Sequence, residues 1–199
     1  MFEWNHNTHY HKLLLRELPN QSCSALDIGS GSGLFSFKLS SAFKEVFSLE
    51  PDEASCEYSQ TRYESQSNMS FINNSFMEYD FKNQRFDYIS AIASIHHMEF
   101  ETSLEKMKML LKPGGKIAVL GLYKESSLSD LLISLVAILP NLIMNTLSRQ
   151  KKERDCEMIT SLPEMTIREI KQVSHGVLEN CHFRRHLFWR YSLVYKKPE

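Results

Sequence analysis

The chain has 199 residues, of which 42% are hydrophobic and 24% charged, and its formal net charge is −1. This length fits one domain with its own core, and the near-neutral charge excludes the strong field that would draw the chain to nucleic acid or an anionic membrane. Four scattered cysteines (Cys23, Cys56, Cys156 and Cys181) contain no C-x-x-C pair, which is typical of a reducing compartment. The first residues show no basic and apolar leader, so we expect a cytoplasmic protein.

Short apolar strands alternate with amphipathic helices along the first two thirds of the chain. Strands are predicted at SALDIG, EVFSLE, MSFINN, FDYISAIASI and KIAVLGLY, and helices at LFSFKLSSAF, DEASCEYSQTRYES and LEKMKMLL. Pro113-Gly114-Gly115 is predicted to end the last of these helices before the fifth strand. Alternation at this spacing predicts a parallel sheet with helices on both faces.

The segment LLISLVAILPNLIMNTL (131–147) is the most apolar of the chain. Its unbroken apolar core runs only from Leu131 to Leu139, well short of the ~20 residues that a membrane span needs. We therefore predict no integral membrane segment, and we expect a buried helix pair broken at Pro140. A hydrophobic lid over a substrate pocket and a membrane-surface helix are the alternatives.

The C-terminal part is predicted to be one helix followed by an antiparallel hairpin. In TIREIKQVSHGVLEN, Thr166 and Glu169 have the spacing of a capping box, and FRRHLFWRYSLVYKK alternates like paired strands. The hairpin carries five cations: Arg184, Arg185, Arg190, Lys196 and Lys197. They can form a patch for an acidic or phosphorylated acceptor, or they can protect an edge hairpin against aggregation. The alternation favours the second interpretation, with one or two arginines facing a site.

The stretch LDIGSGSGLFS ends the first predicted strand and opens a helix. Gly29, Gly31 and Gly33 permit a sharp turn and the close approach of a ligand, but their spacing fails the G-x-G-x-x-G fingerprint of NAD-binding proteins. Asp27 suits an ammonium group better than a pyrophosphate, which it would repel. Glu50, at the tip of the second strand, can accept both hydroxyls of a ribose; an ordinary solvated carboxylate is the alternative.

These elements together resemble the class I S-adenosylmethionine-dependent methyltransferases. The matching stretches are Asp27-x-Gly-x-Gly-x-Gly33, Glu50-Pro51-Asp52, FDYISAIASIHHM and LLKPGGKIAVL, in the family's order. The flanks resemble a subgroup of bacterial small-molecule methyltransferases that opens with HNxHYH and ends near RRHLFWRYSLV. The resemblance implies an α/β, Rossmann-like fold in one domain (1–199), with a mostly parallel seven-stranded sheet, an antiparallel C-terminal hairpin strand and helices on both faces. It also implies a helical insertion over the substrate pocket at 124–165.

The resemblance further implies S-adenosyl-L-methionine as the cofactor. The glycine loop would pass under its methionine part, Asp27 would hold its amino group, Glu50 would bind the ribose and Pro51 would pack near the adenine. Where the family has an Asp for the adenine amino group, this chain has Ser75 and the backbone N–H of Phe76. The implied cofactor-binding residues are Asp27, Gly29, Ser30, Gly31, Gly33, Glu50, Pro51, Ser75, Phe76 and Ala91.

Two histidines, His96 and His97, follow the fourth strand, at the edge where such folds bind ligands. They can act as a general base or orient the acceptor; a loop pair with one ring buried is the alternative. The chain has no Asn-Pro-Pro-Tyr or Asp-Pro-Pro-Tyr after this strand, which argues against amino groups of nucleobases or glutamine as acceptors. We expect methyl transfer to a small molecule and no nucleic-acid partner. The alternatives are a non-catalytic cofactor-binding or interaction protein and a membrane-surface lipid or quinone methyltransferase.

The stretch WNHNTHYHKLL places His6, His9 and His11 within six residues, which raises the question of a metal site. The three do not share one face of a helix, an extended chain would leave His6 opposite the others, and no thiolate cluster accompanies them. We therefore predict no metal site. The resemblance implies that residues 1–22 form a lid over the cofactor cleft, with Tyr10 and His11 reaching toward the methionine end or the acceptor as candidate catalytic residues.

Overall fold

A computed structural model describes residues 6–19, 23–124 and 162–199. The described residues form a seven-stranded sheet in the order β3-β2-β1-β4-β5-β7-β6. Its strands are β1 (Ser24–Ile28), β2 (Glu45–Glu50), β3 (Met69–Asn73), β4 (Phe86–Ile92), β5 (Leu111–Leu122), β6 (His182–Arg185) and β7 (Arg190–Lys196). The described helices are α1 (His6–Leu15), α2 (Leu34–Ser40), α3 (Glu53–Arg62), α4 (Phe100–Leu110) and α5 (Ile167–Val177).

Strands β1 to β5 pair in parallel, and β7 pairs antiparallel with both β5 and β6. This arrangement confirms the predicted α/β fold with an antiparallel C-terminal hairpin. All five residues of β1 are buried, as expected for a parallel strand with helices on both faces of its sheet. The carboxyl ends of β1, β2, β4 and β5 meet at one edge of the sheet, which we call the carboxyl edge.

Two apolar clusters, one on each face, hold the helices to the sheet. On one face, Leu14 of α1 and Leu39 of α2 pack with Ala118 of β5. On the other face, Leu104 of α4 and Ile170 of α5 belong to the larger cluster. Burial of these apolar side chains stabilises the fold by removing their surfaces from water. Helix α1 is therefore part of the core packing.

The segment Pro113-Gly114-Gly115 ends α4 as predicted, but it lies within β5 instead of preceding it. The N–H of Gly114 donates to the carbonyl of Lys197 at 3.1 Å, and the N–H of Lys197 donates to the carbonyl of Gly115 at 2.9 Å. Leu111 pairs with Phe86 of β4, and pairing with the C-terminal residues keeps the following segment extended, so β5 begins at Leu111. The sequence-based start at Lys116 was wrong, because the partner that extends the strand lies far away in the chain.

Both predictions for the C-terminal part are confirmed. Thr166 caps α5: its Oγ1 accepts from the N–H of Glu169 at 3.4 Å, and Oε2 of Glu169 accepts from the N–H of Thr166 at 2.7 Å. Strands β6 and β7 form the hairpin, in which Arg185 pairs with Tyr191. Within the described ranges no helix is long and apolar enough to cross a membrane. The apolar segment 131–147 and nearly all of the predicted insertion at 124–165 lie outside the described residues.

Candidate active site

The glycine loop leaves β1 at the carboxyl edge. Gly29, Gly31 and Gly33 have φ values of +67°, +51° and +72°, a left-handed conformation that favours glycine. A Cβ atom on Gly29 would overlap the side chain of Ser94, and one on Gly33 would lie 2.8 Å from the ring of Phe71. Both the backbone conformation and the space around it therefore require glycine in this loop.

Glu50 closes the glycine loop from the tip of β2. Its Oε2 accepts from the N–H of Gly31 at 2.7 Å, and its Oε1 accepts from the N–H of Asp52 at 3.0 Å. The side chain is 8% exposed, and burial raises the pKa of its carboxyl group. Glu50 is thus a buried acceptor directed at the loop, which excludes the alternative of a solvated carboxylate.

Asp27 is buried beneath the loop with two serine hydroxyls as partners. Ser36 Oγ donates to its Oδ2 at 2.6 Å, and Ser90 Oγ donates to its Oδ1 at 2.8 Å. Burial raises the pKa of Asp27 to about 6, although both serine bonds favour the charged form. Neither serine was predicted from the sequence, where the available signal was a hydroxyl within each of the apolar runs LFSF and YISAI.

Ser30, in the middle of the glycine loop, has an unsatisfied side chain. Its Oγ is buried and has no hydrogen-bond partner in the part of the chain that the structure describes. Leaving a buried hydroxyl unpaired costs free energy, so such a group in a native protein calls for an explanation. A polar ligand lying on the loop would supply the missing partner, and this observation fits the cofactor that the resemblance implies.

The loop after β3 is held to the tip of β2 by Asn73. Its Nδ2 donates to the carbonyls of Glu50 and Pro51, both at 3.0 Å. Ser75 Oγ accepts from a backbone N–H of its own turn at 3.3 Å, and the ring of Phe76 is buried in the core. Asn73 therefore positions the two loops that the resemblance assigns to adenine and ribose, a role that was not predicted from the sequence.

The two histidines after β4 lie at the same edge as the glycine loop. Ser94 Oγ donates to the carbonyl of Ile28 at 2.6 Å and joins the end of β4 to the end of β1. His96 and His97 follow in a 3₁₀ turn with ring centroids 4.0 Å apart. His97 is exposed, yet partial burial of its ring lowers its pKa. Ala91, also a predicted cofactor residue, is buried in the centre of the sheet beside Ile28.

His11 lies in the packing between α1 and α2. It is 4% exposed, its ring centroid is 4.9 Å from that of Phe35, and its Nδ1 lies 2.8 Å from Nζ of Lys38. An ammonium group can only donate, so Nδ1 is the acceptor and the neutral ring carries its proton on Nε2. Burial, with a smaller effect of Lys38, lowers the pKa of His11 to about 3. Its catalytic role stays a prediction.

Tyr10, the other candidate on α1, contacts the turn of the C-terminal hairpin. Its hydroxyl donates to the carbonyl of Leu187 at 3.2 Å, and its ring centroid is 5.0 Å from that of His186. Among the residues with described placement, no group of three or more His, Cys, Asp or Glu side chains could hold a metal ion. The described part of the predicted lid is thus a helix docked between α2 and the hairpin.

The chain is similar to known proteins over nearly its whole length. Residues 25–115 match the family model described as a methyltransferase domain. An uncharacterized methyltransferase of Mycobacterium tuberculosis (strain ATCC 25618 / H37Rv) is 28% identical over 199 residues, and the match covers 98% of each chain.

Solved structures share the fold at low identity. The N-methyltransferase NodS of Bradyrhizobium japonicum WM9, in complex with S-adenosyl-L-homocysteine, is 14% identical with a TM-score of 0.66, over 96% of this chain and 87% of that one. A SAM-dependent methyltransferase from Aquifex aeolicus is 16% identical with a TM-score of 0.62, over 94% and 88% of the two chains. At these identities the likeness shows the fold alone.

Proposed function

We propose that the chain is an S-adenosylmethionine-dependent methyltransferase and that its acceptor is a small molecule bound at the carboxyl edge of the sheet; the methyltransferase-domain match and the methyltransferase relatives support this. The observation that carries the proposal is the hydrogen bond of 2.6 Å from Ser94 Oγ to the carbonyl of Ile28. This bond joins the glycine loop to the turn with His96 and His97, so a donor on the loop would lie beside an acceptor at the histidines.

The cofactor would be held by the residues that the resemblance assigns to it. Ser30 has a hydroxyl with no partner in the described chain, and Glu50 has oxygens with further lone pairs that suit ribose hydroxyls. Asp27, beneath the loop, would act on the amino group, and the glycines keep the floor of the site free of side chains. Pro51, Ser75 and the backbone N–H of Phe76 would complete the site, whereas Ala91 is 0% exposed and would act only as packing beneath it. When bound, S-adenosyl-L-methionine supplies a methyl group on a positively charged sulfur that readily undergoes displacement.

The protein's own contribution is to align the acceptor and to receive its proton. A displacement at carbon needs the attacking atom in line with the bond that breaks, so positioning and exclusion of water account for most of the catalysis. His96 or His97 would accept the proton of the acceptor on a neutral ring nitrogen. The lowered pKa of His97 supports this role, because its ring is then neutral at pH 7. Exposure of His97 would let the proton pass to water.

Binding of S-adenosylhomocysteine is the first test. At a thousand times its Kd, this product should raise the free energy of unfolding by about 4 kcal/mol, whereas NAD at the same concentration should have no effect. Calorimetric titration measures the Kd, and urea unfolding measures the stabilisation. Absence of both binding and stabilisation would contradict the proposal.

Transfer itself is tested with S-adenosylmethionine labelled on the methyl group and a cell extract split into small molecules, lipids and RNA. We expect label in the small-molecule fraction. His96→Ala and His97→Ala should slow transfer, one of them at least tenfold, with S-adenosylhomocysteine affinity unchanged. The exposed His182, on β6, provides the matched control His182→Ala. Binding without transfer to any fraction would favour the non-catalytic alternative, and label in lipid would favour the membrane-surface one.

A further inference from the structure

Arg190, the first residue of β7, is buried without a carboxylate partner among the described residues. Only 8% of the residue's surface is exposed. Its Nε and Nη2 donate to Oδ1 of Asn7 at 3.0 and 2.7 Å, and its Nη1 donates to the carbonyl of Phe188 at 2.6 Å. Both acceptors are neutral, and burial lowers the pKa of the guanidinium to about 10. A buried charge without a counter-charge is costly and rarely kept for stability alone.

The guanidinium has hydrogen-bonding capacity left over. It carries five N–H groups in a planar fork, and the three bonds to Asn7 and Phe188 use three of them. One N–H on Nη1 and one on Nη2 therefore have no acceptor in the described chain. Two N–H groups on neighbouring nitrogens suit an anionic group with two oxygens, such as a carboxylate or a phosphate.

The position of Arg190 puts this capacity beside the proposed site. Arg190 pairs with Leu122 at the end of β5, so it lies at the carboxyl edge. In the sheet order β7 is two strands from β4, which leads into His96 and His97, and two strand spacings are roughly 10 Å. Tyr10 approaches the guanidinium from α1 closely enough for the charge of Arg190 to act against the burial that raises the Tyr10 pKa.

The turn that presents Arg190 has an unusual backbone. Phe188 and Trp189 have φ values of +59° and +56°, in the left-handed region that bulky residues rarely adopt. The carbonyl of Phe188 is also one of the two acceptors for Arg190. Backbone strain of this kind persists only where the surrounding structure imposes it, and it is concentrated at ligand-binding sites. The backbone of this turn therefore holds the side chain of Arg190 in place.

We infer that Arg190 binds an anionic group of the acceptor, so that the acceptor is a small molecule with a carboxylate or a phosphate. This inference rests on the proposed function and names the substrate class of that site. The methionine part of the cofactor also carries a carboxylate, which the same fork would bind, so the test has one arm for each source. Arg185 is occupied differently: its Nε donates to the hydroxyl of Tyr123 at 2.9 Å.

The test compares three variants of the full chain. Arg190→Met removes the charge and keeps a long apolar stem, Arg190→Lys keeps the charge and loses the fork, and Arg184→Met removes an exposed arginine from the same hairpin as a control. With S-adenosylhomocysteine bound, succinate or inorganic phosphate at ten times its Kd should raise the Tm of the parent by about 3 °C over chloride of equal ionic strength. Arg184→Met should keep this shift, Arg190→Met should lose it, and Arg190→Lys should keep part of it.

Transfer assays supply the second readout. The labelled product should bind to an anion-exchange resin, and Arg190→Met should lower transfer at least tenfold, with S-adenosylhomocysteine affinity within twofold of the parent. A tenfold loss of that affinity in Arg190→Met would assign the anion to the cofactor and overturn the acceptor assignment. Parent-like anion shifts and transfer in Arg190→Met would overturn the anion site itself, while the proposed function would stand. Failure of the parent to bind S-adenosylhomocysteine would instead remove the proposed function.

The Tm of the unliganded variants distinguishes anion binding by Arg190 from a purely structural role of this residue. Arg190→Met removes a buried charge that has no carboxylate partner, but it also removes the donor to Asn7 and Phe188, so the two effects should offset each other and the Tm of the unliganded protein should stay close to that of the parent. A large fall in Tm in Arg190→Met that Arg190→Lys restores fully, together with no anion shift in the parent, would show that the arginine only ties Asn7 to the hairpin turn.

Discussion

At the scale of single residues, Asp27 and His11 make the free energy of unfolding change with pH in opposite directions. The pKa of Asp27 rises from 3.8 to about 6 on folding, so between these values the folded chain binds more protons and stability falls as pH rises. The pKa of His11 falls from 6.5 to about 3, so the unfolded chain binds more protons and stability is lost as pH falls below 6.5. Between pH 7 and pH 5 the two effects largely cancel.

Asp27→Asn should expose the contribution of His11. From pH 7 to pH 5, His11 lowers the free energy of unfolding by about 2 kcal/mol and Asp27 raises it by about 1 kcal/mol. The Asn variant should therefore lose about 1 kcal/mol more than the parent over this range. Urea unfolding at both pH values measures the difference, in which the other titrating groups cancel. Equal losses in the two proteins would show that Asp27 titrates normally.

His11→Gln tests the other half of the pair and keeps a neutral acceptor for Lys38. This variant should lose about 2 kcal/mol less than the parent from pH 7 to pH 5, in the same unfolding experiment. The transfer assay on this variant also addresses the prediction that His11 is catalytic. Transfer that falls tenfold or more while the fold and S-adenosylhomocysteine affinity are kept would support that role, whereas parent-like transfer would leave His11 as a packing residue.

At the scale of elements, Gly29 in a crowded loop and Gly176 in an open helix position provide two alanine substitutions with opposite expected effects on stability. An alanine at Gly29 would combine a φ of +67° with an overlap on Ser94, so we expect a loss of roughly 2 kcal/mol or more in stability. Gly176 lies in α5 with no atom within 4 Å of the added Cβ, so Gly176→Ala should gain about 0.5 kcal/mol from helix propensity and reduced unfolded-state entropy. Chemical denaturation measures both, and effects of the same sign would contradict the geometry.

The elements themselves follow mostly from local patterns. The capping box at Thr166 and Glu169, and the alternation that forms β6 and β7, depend on residues a few positions apart, and both were predictable. The start of β5 was not, because it depends on pairing of Leu111 with Phe86 and of the Pro113-Gly114-Gly115 segment with Lys197, and both partners are distant in the chain. A turn signal read along the chain predicts where a helix ends, but it does not reveal a distant strand partner.

At the scale of the whole molecule, the charge distribution predicts weak interaction with membranes. The formal net charge is −1, and a protein without a basic field gains little from an anionic surface. We expect the full chain to stay in the supernatant after centrifugation with vesicles that contain anionic lipids at 0.15 M salt. Co-sedimentation that removal of the apolar segment 131–147 abolishes would instead favour the membrane-surface alternative.

The sequence by itself determined the fold class and the glycine loop. Periodicity of apolar residues marks strands and helices, and the order of the elements predicts a parallel sheet with the loop at its carboxyl edge. The same pattern predicted that four residues lie near the carboxyl ends of the first two strands: Asp27, Gly29, Gly33 and Glu50. The structure then adds that Glu50 is buried and bonded to the loop.

Only the tertiary structure decided the partners of the buried polar groups. Ser90 reaches Asp27 across 63 positions of the chain, and Asn7 reaches Arg190 across 183. These pairs exist because the sheet order puts β1 beside β4 and brings β7 under α1, and no local pattern encodes such neighbours. The sequence left Arg190 as one cation among five in a hairpin. The fold makes it a buried guanidinium with only neutral partners, because burial is a property of the packed elements and not of the residue.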